Sequence, residues 1–284
     1  MNERRAARAS LAAAVIAGLG LRLWNLRGQV MGGDELHAVR VAARRTVPEI
    51  LATYRLTDVS IPLTALARWL MEQGLTLSEL DFRLPALLCG IAALLVIPRA
   101  FLGKMERMEV ELLGWLVAFS PALVLYSRIA RSYMPMVLAG FGAVMTFDRW
   151  WRTRSWKAGV AYVVLAGLAV WLHLGAAPLV VAPFLFALGD LVPPRREGRA
   201  KGLLALVGLG AGLAAALALI LVPARRSLAV LVAAKRQEQT VPLASVLDAL
   251  HLQAGTESDL LAALFWTAAL AGAILLLRDR PRLG

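Results

Sequence analysis

With 284 residues, 59% of them hydrophobic and 18% charged, and a mean hydropathy of +0.66, the chain reads as an integral membrane protein; soluble domains average about 45–50% apolar and about 25% charged residues. The net charge of +12 would suit a nucleic-acid binder, but the basic residues recur as short clusters between apolar runs instead of forming one stripe, which argues against that class. The single cysteine, Cys89, excludes an internal disulfide framework and any multi-cysteine metal site.

Apolar runs near the roughly 20 residues that a bilayer core requires fall at about eight places: 10–26, 84–102, 109–127, 132–148, 158–174, 176–191, 202–223 and 259–277. The expectation is an all-α polytopic membrane protein, a single membrane-embedded domain over 1–284 with about eight transmembrane helices. The first run, after the charged "MNERRAAR", lacks a small-residue cleavage site and is expected to be an uncleaved signal-anchor. Arg22, near its end, is expected to snorkel to the interface.

The segment 27–83 is too long for a turn. It opens with "VMGGDELHAVR", which sets Asp34, Glu35 and His37 side by side. "PEILATYRL" and "IPLTALARWLMEQG" follow and read as amphipathic helices suited to a membrane interface. Asp58 lies between them, and Arg83 opens the second run, where it also suits a helix-end anchor. "YSRIARSY", Tyr126 to Tyr133, is the turn between the third and fourth runs. If that turn is helical, Arg128 and Arg131 share a side, an arrangement that suits bidentate binding of phosphate. His173 ends the fifth run. Residues 225–258 form a second long connection, containing His251 and further amphipathic pieces.

A cytoplasmic N-terminus puts five dense basic clusters inside: Arg4, Arg5 and Arg8; Arg99, Lys104 and Arg107; Arg149, Arg152, Arg154 and Lys157; Arg195, Arg196, Arg199 and Lys201; Arg278, Arg280 and Arg282. Asp34, Glu35, His37, Asp58, Arg83, Arg128, Arg131, His173 and His251 then all fall on the outer face. An outer carboxylate beside an outer arginine pair fits acid–base chemistry on a lipid-linked phosphate. No GxxxxGK[ST] loop and no credible GxGxxG turn is present, which disfavours a nucleotide-fuelled cytoplasmic enzyme.

The order of these features resembles the GT-C superfamily of membrane glycosyltransferases, in the branch of protein O-mannosyltransferases and bacterial aminoarabinose transferases. The resemblance rests on "LRLWNLRG" followed by Asp34-Glu35, then "DVSIPLTAL", "FRLPALLCG" from Phe82 to Gly90, "SPALVLYSRIARSYMPMVL" from Ser120 to Leu138, and His173-Leu174. The sequence departs from the family's "HPPLYY"-like pattern before Pro62, where no histidine stands, and family members are generally longer.

The resemblance implies inverting transfer of a sugar from a polyprenyl-phosphate donor to an acceptor hydroxyl on a protein, lipid or glycan, at the periplasmic face of a bacterial inner membrane. Asp34 and Glu35 are the implied catalytic residues, with Asp34 as base. Arg128, Arg131 and Tyr133 are the implied phosphate site, and His37, Asp58, Arg83 and His173 the implied pocket. Some relatives use a divalent metal ion there. Rival readings are a transporter or lipid flippase, for which Pro121, Pro178 and Pro183 would break helices, and a non-catalytic membrane subunit of the same fold. No charged Asp, Glu or Lys lies near the middle of any run, which counts against a transporter.

Overall fold

The computed structural model describes residues 2–54, 60–191, 199–237 and 243–278; they are mainly α-helical, with no β-strand among them. In chain order the helices are α1 (Asn2–Leu23), α2 (Gly33–Arg44), α3 (Val47–Leu51), α4 (Ile61–Glu72), α5 (Glu79–Ala100), α6 (Arg107–Phe119), α7 (Pro121–Ser127), α8 (Tyr133–Thr153), α9 (Trp156–Leu172), α10 (Ala177–Leu191), α11 (Arg199–Leu221), α12 (Arg225–Gln237), α13 (Leu243–Ala254) and α14 (Asp259–Arg278).

All eight apolar runs are helical, but eight full-length spans are not what they form. Among the described residues four helices are long and apolar enough to cross a membrane: Arg5–Leu23, Glu79–Ala100, Leu174–Leu191 with its short leading turn, and Arg199–Leu221. A fifth is obtained if α6 and α7 count as one span, bent by 51°. The run 109–127 breaks because Pro121 cannot donate to a helical carbonyl. Ser120 ends α6, and its Oγ accepts from the Leu123 N–H at 3.4 Å to start α7. Two further runs fall short in other ways. α8 turns polar at Asp148, Arg149 and Arg152, and α9 has 17 residues. The side chains of α14 are described as an apolar stretch over Asp259–Gly272. The several long apolar helices suggest a membrane-embedded protein.

Three cores hold the helices together. The first joins α1, α5, α6 and α8 through Ala14, Ala93, Leu94, Val117 and Met134. Gly18 brings α1 against this group, since a Cβ there would stand 2.7 Å from Leu94 Cδ2 and 3.2 Å from the Ala118 Cα. The second joins α8 to α9, α10 and α11 around Phe147, Tyr162 and Leu209. Within it, the Tyr162 hydroxyl donates to the Val180 carbonyl at 2.6 Å and ties α9 to α10.

The third core contains the amphipathic helices. Ile50, Tyr54, Ile61 and Ala65 meet Ala224 and Leu231, so the connections on either side of Arg83 and Arg225 pack on each other. The expected helices of 27–83 are present as α2, α3 and α4, although the described part of "PEILATYRL" supplies four helical residues, Pro48 to Leu51. α12 and α13 supply those of 225–258. By contrast, α11 and α14 show wide apolar faces, with Leu204, Leu219, Leu260 and Leu264 all more than half exposed, as expected of helices that face lipid.

Candidate functional site

The polar residues singled out in the sequence gather at one end of the bundle, where the C-terminus of α1, the N-termini of α2, α5 and α8, and the α7–α8 turn meet. Gly32 is the N-cap of α2, so Asp34 and Glu35 lie in its first turn, where negative charge suits the helix dipole. Glu35 makes the capping contact: its Oε2 accepts from the Gly32 N–H at 3.3 Å. Asp34 is therefore not the helix cap.

These neighbouring carboxylates sit in opposite environments. Glu35 is buried and forms a two-pronged pair with buried Arg83, Nε to Oε1 at 3.0 Å and Nη2 to Oε2 at 3.2 Å. The Ala130 N–H adds a bond to Oε1 at 2.7 Å. Burial pushes the Glu35 carboxyl up. The Arg83 hydrogen bond, the amides of Ala130 and Gly32, and the Arg83 charge outweigh that effect and hold it below the ordinary glutamate range. Arg83 also donates to the Gln29 carbonyl at 2.7 Å, so one guanidinium straps the α1–α2 connection to α5. Both oxygens of Glu35 are taken, whereas the Asp34 side chain is 72% exposed.

The α7–α8 turn, residues 128–132, is not helical, and its two arginines point to different partners. Arg128 donates to the carbonyls of Leu21 (3.2 Å) and Trp24 (2.7 Å) at the end of α1. It also lines an open cleft whose walls include Leu21, Phe119, Val124 and Leu125. Arg131 is buried beside Asp34: Nη1 donates to the Asp34 carbonyl at 3.2 Å, and Nη2 lies 3.7 Å from Oδ2. Its Nε is buried without a hydrogen-bond partner among the described residues. A buried guanidinium N–H left unpaired is costly.

Tyr133 lies between two rings, 4.7 Å from Tyr126 and 5.3 Å from His173. His173 Nδ1 accepts from the Gly175 N–H at 3.1 Å. Burial, then the nearby Arg131 charge, lower the His173 pKa and keep the imidazole neutral at pH 7. Tyr133 and His173 thus share the end of the bundle with Asp34 and Arg131. His37 is half-buried on α2 and makes no hydrogen bond in this network among the described residues. His251 pairs instead with Asp259 at 3.0 Å, between α13 and α14. Asp58 lies outside the described residues.

Among the described residues no three His, Cys, Asp or Glu side chains gather as a metal-ligand set. With Glu35 committed to Arg83 and a guanidinium beside Asp34, the donor set does not fit a divalent cation.

Three residues here were missed in the sequence. Arg22 does not snorkel: it is fully buried and turned inward onto Ser127. Ser60 and Ser132 meet Oγ to Oγ at 3.0 Å, joining the start of α4 to the turn. The only available signal was Arg22 itself, a charge inside an apolar run. What it binds lies about 100 residues away and has no local signature.

No family model, no curated protein and no solved structure matches the chain. Fold and site together define an all-α protein suited to a membrane, with a buried ion pair, an exposed carboxylate and an under-bonded arginine at one end.

Proposed function

We propose that the chain transfers a sugar from a polyprenyl-phosphate donor to an acceptor hydroxyl of a protein, lipid or glycan, with inversion, as its resemblance to the GT-C glycosyltransferases implies. The observation that carries this reading is the neighbouring pair of exposed Asp34 and buried Arg131, 3.7 Å apart. Asp34 takes the proton of the acceptor hydroxyl as its oxygen bonds to the anomeric carbon. The bond from that carbon to the phosphate oxygen breaks, and the lipid phosphate leaves with the electron pair. Arg131 neutralises the charge that develops on that leaving group. No step passes through a metal.

The geometry divides the two carboxylates. Asp34 is accessible to an acceptor, and Glu35 holds the α2 start against Arg83 and Ala130. His173 feels the Arg131 charge, and Tyr133 packs against the His173 ring. The cleft beside Arg128, apolar along its walls and basic at its edge, suits a lipid chain with a phosphate head.

The five basic clusters support an orientation with the N-terminus in the cytoplasm and this end of the bundle at the periplasmic face of a bacterial inner membrane. The bent α6–α7 pair supports a second reading, a lipid flippase or transporter, since such proteins break helices at their sites. Against that, the break here is filled by the protein's own Arg22.

The test is sugar transfer in membranes, read by mass spectrometry of lipids and glycans with wild type, Asp34→Asn and Arg131→Ala. Loss of one sugar-modified product in both variants supports the transferase. A product pattern independent of both residues, with lipid moved between leaflets, would favour the flippase.

A further inference from the structure

The α6–α7 break leaves specific atoms without partners. In an unbroken helix the Val117 carbonyl would accept from the amide of residue 121, but that residue is proline. Arg22 of α1 fills the gap. Its Nη2 donates to the Val117 carbonyl at 3.1 Å, and its Nη1 to the carbonyls of Ala118 at 3.2 Å and Gly18 at 3.0 Å. Its Nε donates to Ser127 Oγ at 3.2 Å, on the last residue of α7. Arg22 is fully buried, and no carboxylate of the described residues pairs with it.

Two further details show that the surroundings are shaped to this contact. A Cβ on Gly90 of α5 would stand 2.0 Å from Ser127 Oγ and 3.4 Å from Arg22 Nε, so only glycine leaves room for the joint. Arg128, directly after Ser127, reaches back to the carbonyls of Leu21 and Trp24 on either side of Arg22. Each strand of the clasp thus caps the other: α1 sends a guanidinium to the end of α6, and the turn after α7 sends one to the end of α1.

We propose that Arg22 is a positioning residue that sets the α6–α7 bend, and through it the place of the turn carrying Arg128 and Arg131. The functional half of this inference rests on the reading of that turn as a lipid-phosphate site. The alternative is a joint that adds stability and positions nothing.

The full chain in lipid nanodiscs separates these. Ile129→Cys in a Cys89→Ala background reports the turn by its rate of reaction with a thiol reagent. Affinity for a polyprenyl monophosphate reports the site. Arg22→Gln is expected to raise the labelling rate and to weaken the lipid phosphate by roughly tenfold, the effect of losing a charge-assisted contact. Arg22→Lys restores part of both, because a point charge cannot serve four acceptors in fixed directions. If Arg22→Gln does not fold, Ser127→Ala keeps the guanidinium and its carbonyl contacts, removes the Nε contact together with the Ser127 hydroxyl's own bond to the Leu123 carbonyl, and should move both readouts in the same direction by a smaller factor.

Unchanged labelling in a folded variant overturns the positioning role. Raised labelling with wild-type affinity also overturns it and leaves a stabilising joint. If the wild type itself takes up no polyprenyl monophosphate, the phosphate reading of the turn falls, and labelling alone still decides whether Arg22 holds it.

Discussion

Asp34 and Glu35 are adjacent in sequence, yet their substitution should fail in different ways. Asp34→Asn touches an exposed side chain outside the capping contact and should leave the melting temperature near wild type. If Asp34 is the base, transfer falls by roughly 10²–10⁴; near-normal transfer would remove it from the mechanism. Glu35→Gln instead leaves buried Arg83 without its counter-charge. Breaking a buried pair from one side costs about 3–5 kcal/mol, so the loss should appear as a lower melting temperature. The pH dependence follows from the lowered Glu35 pKa. The unfolded chain binds a proton at higher pH than the folded one, so this stability is complete above the ordinary glutamate value and is lost as pH falls through the lower folded value. Acid should therefore destabilise the wild type over that window, and Glu35→Gln should lack this component. Arg131→Ala should weaken lipid-phosphate binding more than Arg128→Ala, because Arg131 stands beside Asp34 while Arg128 is engaged with two α1 carbonyls. Equal losses in a binding assay would reject that ranking.

At the scale of elements, two polar atoms fix how the amphipathic helices dock. Ser227 Oγ of α12 accepts from the Tyr54 N–H at 2.8 Å. Ser227→Ala leaves that amide unpaired and should cost about 1–3 kcal/mol, detectable as faster proteolysis between α3 and α4. The Tyr54 hydroxyl is buried with no hydrogen-bond partner among the described residues, and burial pushes its pKa up to about 12. Tyr54→Phe should therefore leave melting unchanged or raise it, and a fall would show a hidden acceptor. The positions of these elements were legible in the sequence, because hydrophobic periodicity and run length are local. Every apolar run is helical, and "IPLTALARWLMEQG" forms α4. The number of full spans was not legible: one proline divides 109–127, and Asp148 cuts short the apolar face of α8. The site was half legible. Residue types marked the end of the bundle where Asp34, Glu35, Arg83, Arg131 and Tyr133 meet. The choice of Arg83 for Glu35, and of α1 carbonyls for Arg128, depends on contacts across 48 and 104–107 positions that no local pattern encodes.

For the whole molecule, the proposed orientation gives a direct test. In a Cys89→Ala background, a cysteine placed after Arg45 should react with an impermeant reagent from outside, and one placed after Arg152 should not. The reverse pattern would move the candidate site to the cytoplasm and remove the periplasmic reading with it.

The clasp around Arg22 also has a consequence for biosynthesis. The carbonyls that receive its guanidinium lie 95 and 96 residues downstream in the chain. At synthesis rates of about 5–20 residues per second, α1 is made roughly 5–20 s before α6 exists. During that interval a positive charge must wait near the membrane with its final partners untranslated, at a cost of up to about 3 kcal/mol if it sits at bilayer depth. The first helix should therefore remain beside the insertion machinery, or shallow in the bilayer, until α6 emerges. A ribosome-stalled chain ending before Val117 should release α1 from carbonate-washed membranes more readily than one ending after Arg131, and replacing Arg22 with leucine should abolish that difference.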